Sequence, residues 1–181
     1  MPRYISLLRG INVGGHKKIK MAELKAAYEE LGLTKVKTYI QSGNVLFNTT
    51  KLDKTKLSLA IQKGIVDKWG FEVTVWVIDP KEWSTYIENN PFLSQKDIDT
   101  SKLHLMMLQA SPEKDFLDAL KDFDSGDDEF KCIENVIYLH CPNGQARTKL
   151  NNNFFERKLK VTATTRNWRS SNKLLELANI S

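Results

Sequence analysis

The order of apolar runs constrains the fold most. Residues 4–8 form a short apolar run that reads as a buried strand, followed by a loop with three glycines. Residues 21–31 carry Leu24, Ala27, Tyr28 and Leu31 at helical spacing, and Gly32 stands where a helix C′ residue belongs. Residues 36–40 and 44–47 read as two strands about the turn Gln41-Ser42-Gly43. Residues 52–69 read as a second helix closed by Gly70, with Leu52, Lys56, Leu59, Lys63 and Val66 on one ridge and Ile61 and Ile65 on another. Residues 71–78 alternate Phe71, Val73, Val75 and Val77 with Glu72, Thr74, Trp76 and Ile78, as a strand does. Strand, helix, strand, strand, helix, strand is a split βαβ unit, which makes a four-stranded sheet with two helices on one face.

The same order recurs further along, in elements though not in residue identity. Residues 103–109 read as a strand that is apolar on both faces. Ser111-Pro112-Glu113 reads as a helix start, with Phe116, Leu117 and Leu120 following it. Residues 129–133 and 136–140 form a hairpin about Glu134-Asn135, residues 151–159 a helix, and residues 161–164 a short closing strand. A last helix runs over residues 168–178, with Thr165 or Asn167 as its N-cap. The expected fold is α+β: two ferredoxin-like (βαββαβ, alpha-beta plait) subdomains with antiparallel sheets plus a C-terminal helix. The expected boundaries are 1–78, a linking helix and loop over 79–101, and 102–181.

The chain's 181 residues are enough to bury a core without a disulfide or a metal. No apolar run reaches the length of a membrane span. Arg9 ends the first apolar stretch too early for a signal peptide, so none is expected. The hairpin puts Cys132 opposite Ile137 rather than Cys141, and two reduced thiols fit a cytoplasmic protein. Charge is segregated. Residues 1–78 hold thirteen Lys and Arg against six Asp and Glu, residues 79–129 five against thirteen, and residues 130–181 nine against three. Two readings stay open: the basic segments share a face that attracts an anion, or basic and acidic segments balance one another.

Four segments carry candidate binding chemistry. In Arg9-Gly10-Ile11-Asn12-Val13-Gly14-Gly15-His16-Lys17-Lys18 a strand opens into a glycine loop, where backbone N–H groups can turn toward an anion and the basic side chains add charge. The spacing fits neither the dinucleotide fingerprint nor the phosphate loop of nucleotide triphosphatases, and the plainer reading is a turn. In Gln41-Ser42-Gly43-Asn44 the polar side chains either read a ligand or bond their own turn, and the turn reading is favoured. Ser42 lacks the elbow and the His–Asp partners of a nucleophile. In Asn143-Gly144-Gln145-Ala146-Arg147-Thr148-Lys149, either Arg147 suits a phosphate or carboxylate with Lys149 as a point charge, or the segment is a hairpin exit turned by Asn143-Gly144 with both cations solvated. Arg166-Asn167-Trp168-Arg169 places cations against the positive end of the last helix, and Trp168 is a stacking platform or, more often, a packing anchor. The three histidines have no metal-ligand spacing, so no metal is expected, and no cofactor pattern is present. Asp127-Asp128-Glu129 reads as a solvated turn.

Leu7-Leu8-Arg9-Gly10-Ile11-Asn12-Val13-Gly14-Gly15 with Lys20-Met21-Ala22-Glu23-Leu24, and Thr38-Tyr39-Ile40-Gln41-Ser42-Gly43-Asn44-Val45, resemble the bacterial family called domain of unknown function 1697. So do Asn90-Pro91-Phe92, the segment from Pro142 to Leu150, and Ala163-Thr164-Thr165-Arg166-Asn167-Trp168. The resemblance implies a pair of ferredoxin-like subdomains and brings no activity, substrate or catalytic residue. The family pattern expects Gly at Ala146, Ser at Thr148 and Pro at Lys20.

Three functions stay open: a module that binds an anionic ligand, either a nucleotide or a nucleic acid; an enzyme acting on a small phosphorylated or carboxylated metabolite; and a protein-interaction module. The site expected for a ligand comprises Arg9, Asn12, Gly14, Gly15, Gln41, Ser42 and Asn44, with Asn143, Arg147, Lys149, Arg166, Asn167 and Trp168. The sheet lacks the aromatic strand of the common RNA-recognition fold, which weighs against that mode of binding.

Overall fold

The alternation of short strands and amphipathic helices closes into two four-stranded antiparallel sheets. The computed structural model describes residues 1–180. The first sheet is built from β1 (Arg3–Leu8), β2 (Thr34–Tyr39), β3 (Asn44–Asn48) and β4 (Val75–Ile78), in the order β2-β3-β1-β4. Helices α1 (Met21–Glu30) and α2 (Lys54–Trp69) make the two crossovers. Helix α3 (Pro80–Glu88) follows. The second sheet is built from β5 (Leu103–Leu108), β6 (Glu129–Ile133), β7 (Val136–His140) and β8 (Ala163–Asn167), in the order β6-β7-β5-β8. Helices α4 (Lys114–Asp118) and α5 (Asn152–Leu159) are its crossovers, and α6 (Trp168–Asn179) ends the chain. Both are ferredoxin-like plaits.

Grouped by contact, Met1–Thr85 and the segment from Lys173 onward form one compact unit, and Tyr86–Asn172 another. In the first unit, period-two alternation sends Tyr4, Ser6 and Leu8 of β1 toward the helices. There Leu24 and Tyr28 of α1 and Leu57, Ile61 and Ile65 of α2 join Tyr4, Leu8, Val45, Phe47, Val75 and Val77 in one buried cluster. Ser6 Oγ and the Tyr28 hydroxyl are 2.6 Å apart, and burial holds that phenol well above its ordinary pKa. The other ridge of α2 stays in solvent, with Leu59 59% and Val66 38% exposed. In the second unit, Met106, Leu108, Ile137 and Leu139 pack with Leu150, Phe154, Phe155 and Leu159.

Local chemistry sets the helix ends. Asp53 accepts from Lys56 N (2.9 Å) and starts α2 two residues later than expected, and Gly70 (φ 75) stops it. Asn167 Oδ1 accepts from Ser170 N (2.8 Å) and caps α6. Other expected boundaries differ too, β2 among them, which begins at Thr34 rather than at residue 36. Residues 71–74 lie outside β4: the last strand pair is Leu8 with Val75, one further bond runs from Arg9 N to Thr74 O, and Gly10 (φ 66) then turns the chain away. Ser111-Pro112 does not start a helix: Glu113 keeps an extended backbone (ψ 141), and α4 begins at Lys114. The closing strand begins at Ala163 rather than at residue 161, after Lys160 (φ 58) ends α5, and it pairs with β5 from Ala163 to Asn167. Among the described residues, no helix is long and apolar enough to cross a membrane.

Candidate functional site

One side chain, Asn12, organises the loop after β1. Leu8 N donates to Gly43 O (2.8 Å) and Arg9 N to Thr74 O (2.9 Å), so β1 is held on both sides as it ends. Asn12 (φ 56) then ties three segments together. Its Nδ2 donates to Ile19 O (3.0 Å) and Gln41 O (2.9 Å), and its Oδ1 accepts from Ile19 N (2.9 Å). A tight turn runs from Val13 to His16, with Gly14 (φ 58) and Gly15 (φ 79) at its tip. The Asn44 amide is fully buried and donates to Tyr39 O (3.1 Å) and Ser42 Oγ (2.9 Å), the self-bonding turn favoured from the sequence.

Two grooves adjoin this loop in the N-terminal unit. The first, about 410 Å³, is lined by Arg9, Lys17, Gln62, Lys63, Glu72 and Thr74 among others. Lys17 Nζ donates to Glu72 O (2.6 Å), and Lys63 pairs with Asp67 (2.5 Å). The second, about 690 Å³, is lined by Asn12, Gly15, Lys18, Lys20, Gln41 and Trp69 among others. Lys20 reaches Glu23 at 3.5 Å, and Lys68 lies 5.7 Å from the Trp69 ring centroid while bonding Glu30 at 2.8 Å. Consecutive lysines of one loop thus belong to different grooves, Lys17 to the first and Lys18 to the second. Gly14 lines neither.

In the second unit Asn143, Arg147 and Lys149 come together in a groove of about 340 Å³, but in acidic company. Asn143 Nδ2 donates to Asp127 Oδ2 (3.1 Å), and Lys149 Nζ to Asp124 O (3.1 Å). Asp128 of the acidic triple is buried here, rather than solvated as expected, and its carbonyl accepts from Ser125. Arg166 and its neighbours do not line this groove. The Arg166 guanidinium is buried and donates to Thr164 Oγ1 (2.9 Å) and Thr165 O (2.8 Å). Burial pushes it down to about 10, so it is still charged at neutral pH. Asn167, exposed, caps α6 through its Oδ1, and Trp168 opens that helix. Among the described residues, no group of His, Cys, Asp and Glu is placed to hold a metal.

Trp69, Gln62 and Lys63 line the two grooves although the sequence singles out none of them as a candidate. All three lie on α2, where they read as helix surface, and the one available signal was an aromatic residue just before the terminating Gly70.

A model of the family described as protein of unknown function (DUF1697) matches residues 1–138. The motifs from Pro142 to Leu150 and from Ala163 to Trp168 lie beyond that stretch. Among solved structures, the conserved bacterial protein SP0830 from Streptococcus pneumoniae is similar, with a TM-score of 0.73 and 24% identity over 98% of this chain and 99% of that one. At that identity the likeness concerns the fold. No curated protein matches the chain.

Proposed function

The chain belongs to the family of proteins of unknown function DUF1697, and on that premise we propose that its N-terminal unit binds a phosphate-bearing ligand, a nucleotide or a strand of nucleic acid, at the loop over residues 10–20. One observation carries the reading: Gly15, Lys18, Lys20 and Trp69 line a single groove of about 690 Å³. Lysines attract a polyanion, glycine backbone N–H groups approach its oxygens, and an indole offers a base a surface to stack on. The charge of residues 1–78, thirteen cations against six anions, acts in the same direction. The pairing of Lys20 with Glu23 does not oppose it. An exposed i,i+3 pair contributes only a few tenths of a kcal/mol, and a phosphate outcompetes it. The groove of the second unit does not support the same reading, because Asp127 and Asp124 already hold Asn143 and Lys149.

Fluorescence anisotropy with a labelled single-stranded RNA at low salt, together with competition by ATP and by inorganic pyrophosphate, tests the proposal. The double variant Lys18→Glu, Lys20→Glu is expected to weaken binding at least about tenfold, with little change in melting temperature, since both side chains are exposed. Absence of binding by all three probes at low salt overturns it.

A further inference from the structure

Resting on that reading, we infer that the ligand is an extended single strand of nucleic acid lying across both grooves, not a mononucleotide held in one. The two grooves share their supports. Lys17 and Lys18, adjacent in sequence, line one each. On α2, Gln62, Lys63 and Val66 line the first groove and Trp69 the second, all within two turns, about 10 Å of helix axis. A base stacked on Trp69 with its phosphate at Lys18 and Lys20 fills only the second groove. Arg9 and Lys63 then stand further along the same track, where the next phosphates of a strand arrive. Gln62, Glu72 and Thr74 line the first groove and Asn12, Gln41 and Glu23 the second, but the Asn12 amide is already bonded to Ile19 and Gln41, and the strand is held chiefly by phosphate contacts and by stacking on Trp69, which tolerate many sequences. Glu72, the one carboxylate residue in the first groove, has its backbone carbonyl held by Lys17, and its side chain is exposed to solvent.

The full chain is titrated with UMP and with oligouridylates of about four and about ten nucleotides, at several salt concentrations. Affinity is expected to rise at least about tenfold from UMP to the longest strand. For that strand the slope of log K against log salt is expected near about −3, corresponding to roughly four phosphates neutralised by Arg9, Lys18, Lys20 and Lys63. Lys63→Glu is expected to lower the affinity of the long strand and flatten its slope by about 0.7 or more, while leaving UMP binding unchanged. Trp69→Phe is expected to remove most of the fluorescence quenching that either ligand produces. If UMP binds as tightly as the long strand, or Lys63→Glu leaves the long strand unaffected, this inference fails and the proposed function stands. If ATP, pyrophosphate and every strand fail to bind, both fail.

Discussion

Gly43→Ala gives the sharpest test of how the glycine loop and the β2–β3 turn are joined. Gly43 has φ +75, and a Cβ placed on it would lie 2.7 Å from Leu8 Cβ and 3.0 Å from Cδ1 and Cγ1 of Ile11. Leu8 and Ile11 are fully buried, and the Gly43 carbonyl is held by Leu8 N at 2.8 Å, so neither side can move away cheaply. The left-handed backbone costs an alanine about 1 kcal/mol, and forcing a methyl into a packed site adds about 1–3 kcal/mol. Gly10 is the control: its φ is +66, but nothing lies within 4 Å of an added Cβ. Gly10→Ala therefore isolates the backbone part, about 1 kcal/mol. Urea unfolding followed by Trp fluorescence should show Gly43→Ala destabilised by about 3 kcal/mol and Gly10→Ala by about a third of that, at unchanged m-value. Equal losses in the two variants would refute the close packing of Gly43 on Leu8 and Ile11.

Asn12→Ala removes both donors to Ile19 O and Gln41 O and strands the Ile19 N–H, at a cost of about 2 kcal/mol; Asn12→Gly should recover about 1 kcal/mol of it, because φ at this position is 56. Equal unfolding midpoints for the two variants would contradict that division. His104 is buried, and desolvation lowers its pKa, with the Lys102 carbonyl and then the Asp128 charge acting in the opposite sense. The unfolded chain therefore binds the proton first, and stability should fall as pH drops below the ordinary histidine range, a fall that His104→Gln reduces in urea melts at about pH 7.5 and about pH 5. Burial raises Cys132 and Cys141 to about 11, so about one thiol in ten thousand is ionised at neutral pH. Both should alkylate more slowly in the folded protein than in urea, buried Cys141 more slowly than half-buried Cys132; rapid labelling of Cys141 in the native chain would contradict its burial.

Much of the fold was legible because it depends on near neighbours and on the period of burial. Gly32 and Gly70 after α1 and α2, the hairpin about Glu134-Asn135 and the Asn167 cap all act within a few residues of where they stand. The ridge of α2 was harder. Leu59 and Val66 look as apolar as Ile61 and Ile65, and only the position of the sheet decides which row is covered. Of the candidate ligand residues, Asn44 is buried in its own turn and Asn167 Oδ1 caps α6, while Arg147 and Lys149 sit beside Asp127 and Asp128, about twenty residues away in sequence.

The two plaits, their element order and the glycine bends are written in the chain, since hydrophobic period and turn chemistry are local properties. It took the folded chain to bring Asn12 to residue 41 and Lys17 to residue 72, to put Trp69 in a groove with Lys18, and to bury Arg166. Those outcomes follow from which distant surfaces the crossovers bring within a few ångströms of each other. Charge and side-chain type carry no record of that proximity until the sheet has formed.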